Sequence, residues 1–483
     1  MKKIFISSAV CFLFIVFAKA QNVGIGTNSP AQKLDVNGKV KLGDDANAPQ
    51  SGTIRWNNAT SDFEGFNGSS WLSLTQKNSS SSFVSQPWPT TACTGTGTIS
   101  DYRQASSIDG AAGDSVGFSV AISGDYAVVG APGDNTKRGA AYVYHRSGNS
   151  WVQEAKLIAS DGSNGDAFGF SVAIDGDYII AGVPIAAASA GKAYIFKRTG
   201  TNWAQEQILT EPTPGTSHRF GFSVSISGNT VLIGADNSTG IAATTGTAYT
   251  YLRTGAVWAL QSQLSASDGL ALDEFGFSVS LSGDYAVIGA KLDDNGVATN
   301  QGSAYIFKRT GSTWAQQAKI LSSDGVALDQ FGFSVSISGD YVVVGSPFQD
   351  LPFISAGAVY IFKRNGIVWT EEKKLSAPDA TASDQFGCSV AVSGEYIIAG
   401  AKTADVTSTC PGTHTTQGKA YIFRLQPGGL TDFVATVFDP AGLTNDNLGV
   451  SVGISGNLFV CGANLADINS RVNQGKVVFG QAN

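Results

Sequence analysis

The chain has 483 residues, a formal charge of −7, a pI near 5.1 and only 14% charged residues. So acidic and sparsely charged a chain is a poor binder of nucleic acid or anionic lipid, which demand basic patches. Its length allows a large core, and its 58 glycines point to turn-rich β architecture.

Residues 1–20 read as an export signal: Lys2 and Lys3, an apolar run over 4–17, then Ala18-Lys19-Ala20 as a small-x-small cleavage site. The run is shorter than the ~20 residues of a bilayer span, and no later run is longer, so no membrane span is predicted. Cys11 lies inside the signal, which argues against a lipid anchor. Losing Lys2, Lys3 and Lys19 takes the charge from −7 to −10. The expected location is extracellular or on the outer cell surface.

Residues 21–75 form a different, β-rich module. Val23-Gly24-Ile25-Gly26, Lys33-Leu34-Asp35-Val36 and the stretches around Trp56 and Trp71 resemble short segments of tail-fibre-like surface proteins. A piece this small can hardly bury its own core, so it is expected to serve as a stalk or to oligomerise. Asn78, four serines at 79–82, Pro87 and Pro89 mark residues 76–97 as a linker.

From residue 98 onward one phrase recurs seven times, in its fullest form Phe-Gly-Phe-Ser-Val-x-Ile-Ser-Gly-Asp-Tyr-x-x-x-Gly-Ala. Its first glycine is Gly117, Gly169, Gly221, Gly276, Gly332, Gly387 and Gly449; a second follows thirteen residues later, from Gly130 to Gly462. A period near fifty residues signals an array of equivalent small sheets. In the second unit, Phe170, Val172 and Ile174 alternate with small or polar residues, as a half-buried strand does. Gly176-Asp177 then suits a tight hairpin, and further strands begin near Tyr178, Ala193 and Trp203. Four strands in each of seven units predict an all-β, seven-bladed β-propeller over 98–483.

The repeated Phe168-Gly169 and Gly130-Ala131-Pro132 signatures resemble the FG-GAP repeats of integrin α-subunit propellers and their bacterial relatives. The resemblance implies a propeller whose ring is closed by an N-terminal strand. Repeat seven indeed stops after its third strand at 476–479. Ile99 lies eighteen residues before Gly117, where Trp151, Trp203, Trp258, Trp314 and Trp369 stand before their next repeats. Residues 99–107 are therefore expected to complete blade seven.

Many FG-GAP repeats also carry an acidic calcium loop between their first two strands. Calcium needs six to eight oxygens, and here that connection shrinks to Ser123-Gly124-Asp125 or Ser393-Gly394-Glu395. No metal or other cofactor is therefore expected. Aspartates five apart recur in the connectors (Asp109/Asp114, Asp161/Asp166, Asp268/Asp273, Asp324/Asp329, Asp379/Asp384). The simple reading is that each accepts backbone N–H groups in a turn; the alternative is a carboxylate ring for a cationic ligand.

Catalysis finds little support. His145, His218 and His414 occupy unrelated places, His218 reading as a surface substitution in an aspartate slot, and no nucleophile elbow, zinc helix or phosphate loop appears. Cys388 and Cys461 replace core residues and are expected to be buried. Cys93 and Cys410 lie near blades seven and six, where a disulfide would join them in an exported protein.

Spacing separates constant from variable parts. From second glycine to third-strand tyrosine position the counts are 12, 12, 15, 16, 15, 21 and 16. The loops 131–140, 235–247, 290–303, 346–358, 401–419 and 463–475 should therefore share one face, opposite the uniform hairpins, and binding usually resides in such loops. Candidate contacts are Lys137 and Arg138 in blade one, Asp293 and Asp294 in blade four, and Phe348, Asp350 and Phe353 in blade five. The resulting expectation is a binding or adhesion protein for an extracellular protein or glycan. An extracellular propeller enzyme acting on polysaccharide or polyphenol, or a structural surface component, are the alternatives.

Overall fold

The computed structural model describes the backbone of five strands between residues 54 and 105, and residues 110–482 except 241–243, 408–412, 427–430, 441 and 469. The export signal, Cys93 and Cys410 lie outside the described residues. Two units divide the chain, 1–79 and 80–483. In the first, Ile54–Asn57, Asp62–Phe66 and Trp71–Ser73 pair antiparallel in chain order.

The second unit is the predicted seven-bladed propeller. Six sheets are four-stranded antiparallel meanders in chain order; in blade two these are Ser171–Asp175, Tyr178–Val183, Lys192–Thr199 and Asn202–Leu209. Each first strand packs against the first strand of the next blade, and the seventh, Leu448–Ser455, against Ser119–Ser123 of blade one. The ring is thus closed. Burial follows position. The second strand Tyr178–Val183 is wholly buried, because both sheet faces meet neighbouring blades, which explains its unbroken apolar run. The outermost strand Asn202–Leu209 fully buries only Trp203 and Leu209.

The two repeated glycines meet between blades. A Cβ on Gly130 would collide with the carbonyl oxygen of Gly169 in the next blade, and the same holds for every pair round to Gly462 against Gly117. The serine two residues after the first glycine of each phrase reinforces the contact. Ser119 Oγ donates to the Gly169 carbonyl at 2.8 Å, Ser171 to Gly221 at 2.8 Å, and so on to Ser451 and Gly117. A second tier lies at the hairpin end, where each hairpin glycine amide donates to the preceding blade. Gly176 N bonds Ser123 Oγ at 3.3 Å, Gly228 N bonds Asp175 at 2.7 Å, and Gly124 N bonds Ser455 at 3.0 Å across the junction.

Blade seven closes with an N-terminal strand. Ile99–Ala105 pairs antiparallel with Lys476–Ala482, Ile99 facing Ala482 and Ala105 facing Val477. That register matches blade two, where Trp203 faces Arg198 and Leu209 faces Ala193. A short fifth strand, Gln86–Pro87, adds to the outer edge, inside the segment the sequence marks as linker.

Candidate ligand-binding face

In a four-stranded meander the second-to-third-strand loop and the connector to the next blade leave from one end. Both hairpins leave from the other. The propeller therefore has a loop face and a hairpin face. The hairpin face is uniform: Arg198, Arg309 and Arg364 pair with the hairpin aspartates Asp177, Asp284 and Asp340. Arg198 also lies 4.0 Å from the Tyr126 ring of blade one and 5.8 Å from Trp203. Arg253 repeats this stack on Tyr178 and Trp258, and Arg364 on Tyr285 and Trp369. Each carboxylate thus ties the two hairpins of its own blade, and the arginine it holds reaches the preceding blade.

On the loop face, parallel bridges tie each loop to the connector that follows, from Gly139 with Phe168 to Val116 with Gly475. The connectors bend through two left-handed residues around their second aspartate, such as Leu272 and Glu274 flanking Asp273. That aspartate accepts a backbone amide three residues earlier: Ser163 to Asp166 at 2.7 Å, Leu270 to Asp273 at 2.6 Å, Val326 to Asp329 at 2.8 Å. The turn reading describes this half of each pair. The first aspartate differs, accepting a tyrosine hydroxyl of the next blade and a lysine ammonium. Asp161 takes Tyr194 at 2.7 Å and Lys192 at 2.6 Å; Asp324 takes Tyr360 and Lys374, both at 2.7 Å. Both members therefore belong to the architecture, and Asp109 lies outside the described residues.

Around the channel mouth the innermost strands begin with an arc of phenylalanines. Phe118, Phe170, Phe222, Phe277 and Phe333 follow one another with ring centroids 4.9–5.1 Å apart, each partly exposed. Cys388 and Val450 take this place in blades six and seven. Beside the arc, two positions differ from blade to blade: the residue before Phe-Gly and the residue after Gly-Ala. In blades one and two they are Ser115, Pro132, Ala167 and Pro184. In blades three and four they are charged and paired, Arg219 with Asp236 and Glu274 with Lys291, the latter at 3.0 Å. The Arg219 guanidinium lies 4.5 Å from the Phe222 ring, and Lys291 Nζ 4.2 Å from Phe277. Asp236 is fully buried and its Oδ1 has no partner; burial pushes its pKa up to about 7 despite Arg219.

The candidates chosen from sequence are dispersed over this face. Lys137 is exposed at the end of a left-handed turn through Asn135 and Thr136, and Arg138 beside it reaches the Ala159 carbonyl at 3.5 Å. Asp293 is buried, accepting from Tyr305 at 2.8 Å and Lys319 at 2.7 Å, so it supports the loop from within. Asp294 is exposed and takes the Asn300 amide at 2.7 Å; Asp350 is exposed and takes that of Ser355 at 2.9 Å. Phe348 packs edge-on against Phe333, 6.2 Å between centroids, and so extends the channel arc. Phe353 is 50% exposed.

His218 is not the bland surface residue expected. Its Nδ1 lies 2.7 Å from Glu211, which is 2% exposed at its side chain and also accepts the Tyr249 hydroxyl at 2.6 Å. Cys388 and Cys461 are buried free thiols. Among the described residues no group of three or more His, Cys, Asp or Glu side chains could hold a metal ion, and no helix is long and apolar enough to cross a membrane.

The FG-GAP repeat family matches the chain at six successive segments: 104–144, 151–196, 203–251, 258–307, 314–362 and 369–423. The chain belongs to the FG-GAP repeat family. Five of the six segments open on the tryptophan of an outer strand and run into the third strand of the next blade, so the matched unit straddles the blade boundary where the paired glycines meet. No curated protein matches the chain's sequence.

Proposed function

We propose that this FG-GAP propeller is an exported binding or adhesion protein that seats an extracellular ligand on its loop face. The observation that carries this reading is the contrast between the two ends of the ring. One end repeats the same arginine stack and hairpin in blade after blade, while the other gathers the loops of unequal length and the ion pairs that only blades three and four place at the channel mouth. A rigid scaffold with one diversified face is the usual layout of a binding module. An enzyme is the weaker reading, because the charged groups at the mouth already engage one another as ion pairs. No metal is assigned to the binding step. The N-terminal module is read as the attachment or oligomerising element.

Screening the full mature chain against protein and glycan arrays tests the proposal. Ligands recovered should lose binding when loops 290–303 and 346–358 are replaced by the short loop of blade two. They should keep it when Gly283-Asp284 becomes Gly-Asn. Undiminished binding after the loop exchange contradicts the proposal.

A further inference from the structure

Blades four and five carry exposed apolar side chains that the repeat does not require. In the connector into blade four, Leu270 and Leu272 are 59% and 64% exposed; in the connector into blade five, Val326 and Leu328 are 53% and 59%. The adjoining loop of blade five adds Phe353 and Ile354, the latter 71% exposed. These segments follow one another round the ring on the loop face.

Two of these residues are unfavourable twice over. Leu272 and Leu328 have φ of +76° and +72°, in the left-handed region that a bulky side chain avoids. The repeat imposes that backbone. The Leu272 amide donates to the Thr244 carbonyl at 3.2 Å and Leu328 to Thr299 at 2.9 Å, as Gly165 donates to Lys137 in blade one. Other blades place Gly113, Gly165, Ser217, Ser383 and Asn445 there. Leucine at this position accepts backbone strain that glycine escapes, and being mostly exposed it contributes little to the core. Neither folding nor solubility accounts for it. Contact with a partner does.

The border of this patch is acidic. Asp294 and Asp350 are exposed beside it, each held by one backbone amide, and the side chains of Asp268 and Asp324 are 51% and 38% exposed. Three lysines of the sector are engaged: Lys319 lies between Asp268 and Asp293 at 2.8 and 2.7 Å, Lys374 on Asp324 and Lys291 on Glu274. An apolar centre with a negative border is complementary to an apolar centre with a positive one.

We propose that the loop face of blades four and five docks a protein segment presenting apolar side chains flanked by lysine or arginine. This rests on the reading that the loop face is the binding surface. A second copy of the chain fits less well, since two acidic borders would face each other. A glycan fits less well too, because leucine and valine offer neither a ring face nor a hydrogen bond to hydroxyl groups.

The test selects peptides on the full mature chain from a displayed random library, then measures their affinity for variants. L272G/L328G restores the residue that blades one and two use; F353S/I354S alters the patch without touching a connector. R138A in blade one and D284N on the hairpin face are controls. Selected peptides should combine apolar and basic residues, weaken as salt rises, and lose at least tenfold in affinity for both patch variants. The melting temperature of L272G/L328G should not fall. Peptides that bind both patch variants like the parent overturn the proposal. Should they lose affinity for R138A instead, the loop-face reading survives and only this docking site fails; should they lose it for D284N alone, both fail. Enrichment of no peptide, of peptides without basic residues, or leucine-dependent dimerisation in sedimentation also overturns the proposal.

Discussion

Ser451 Oγ donates a 2.7 Å hydrogen bond to the carbonyl oxygen of Gly117, 334 residues earlier in the chain. The same carbonyl leaves no room for a Cβ on Gly462. Blade seven thus meets blade one through the contact that joins every other pair of blades. G462A should be severe, costing about 3 kcal/mol or more through overpacking against fixed backbone. G456A, six residues away in the hairpin, has open space and φ of +58°, so left-handed strain limits its cost to about 1–2 kcal/mol. Denaturant titration of the two variants checks the ordering.

The closing strand supplies a second test. Removing 99–105 strips the ladder from Lys476–Ala482 and exposes a strand edge. Several ladder bonds at about 1 kcal/mol net each are lost. A chain beginning at Gly113 should melt lower and aggregate sooner than one beginning at Ala92. Equal melting temperatures would contradict closure by this strand.

Much of this ring is legible in the sequence because the period is strict. The eighteen-residue interval that places Ile99 in the tryptophan position is borne out by its pairing with Ala482, as Trp203 pairs with Arg198. Gln86–Pro87 is not legible, being two residues long, containing proline and lying in a serine-rich stretch. The turn role of Asp166 is local and readable. The latch of Asp161 is not, because its tyrosine partner stands 33 residues later. The charged pairs Arg219–Asp236 and Glu274–Lys291 escaped the sequence reading although a signal was present. They fill the letter before Phe-Gly and the third letter of Gly-Ala-Pro, where blades one and two use small residues or proline.

The acidic groups make stability depend on pH in two opposing ways. Burial lifts Asp236 to about 7 and Asp273 and Asp329 to about 6. Between the usual carboxylate range and those values the folded state holds more protons than the unfolded, so stability falls as pH rises from about 4 to 7. Other aspartates are held low. The Lys192 bond lowers Asp161; for Asp268, Asp324 and Asp379 burial works the other way but is outweighed by lysine and tyrosine bonds. Their contribution is present above about pH 4 and lost below it. Unfolding free energy should therefore peak near pH 4–5, and D236N should flatten the decline between pH 5 and 7. A profile still rising at pH 7 in the parent would refute this assignment.

His218 occupies the aspartate slot of blade three, so replacing it by the repeat's own residue ought to be harmless. The contact with buried Glu211 reverses that expectation. H218D sets two carboxylates together and should destabilise by about 2–3 kcal/mol, whereas D166N in blade two should lose only the share of one turn bond, about 1 kcal/mol. Thermal melts of the two variants decide it.

The proposed function requires ligand to sit on the loop face. Hydrogen exchange of the full chain, with and without a ligand recovered from the arrays, tests this most directly. Protection should appear in loops 290–303 and 346–358 and in the connectors around Leu272 and Leu328, with exchange at the hairpins of Gly283 and Gly339 unchanged. Protection at those hairpins, with the loops exchanging as in the free protein, would contradict it.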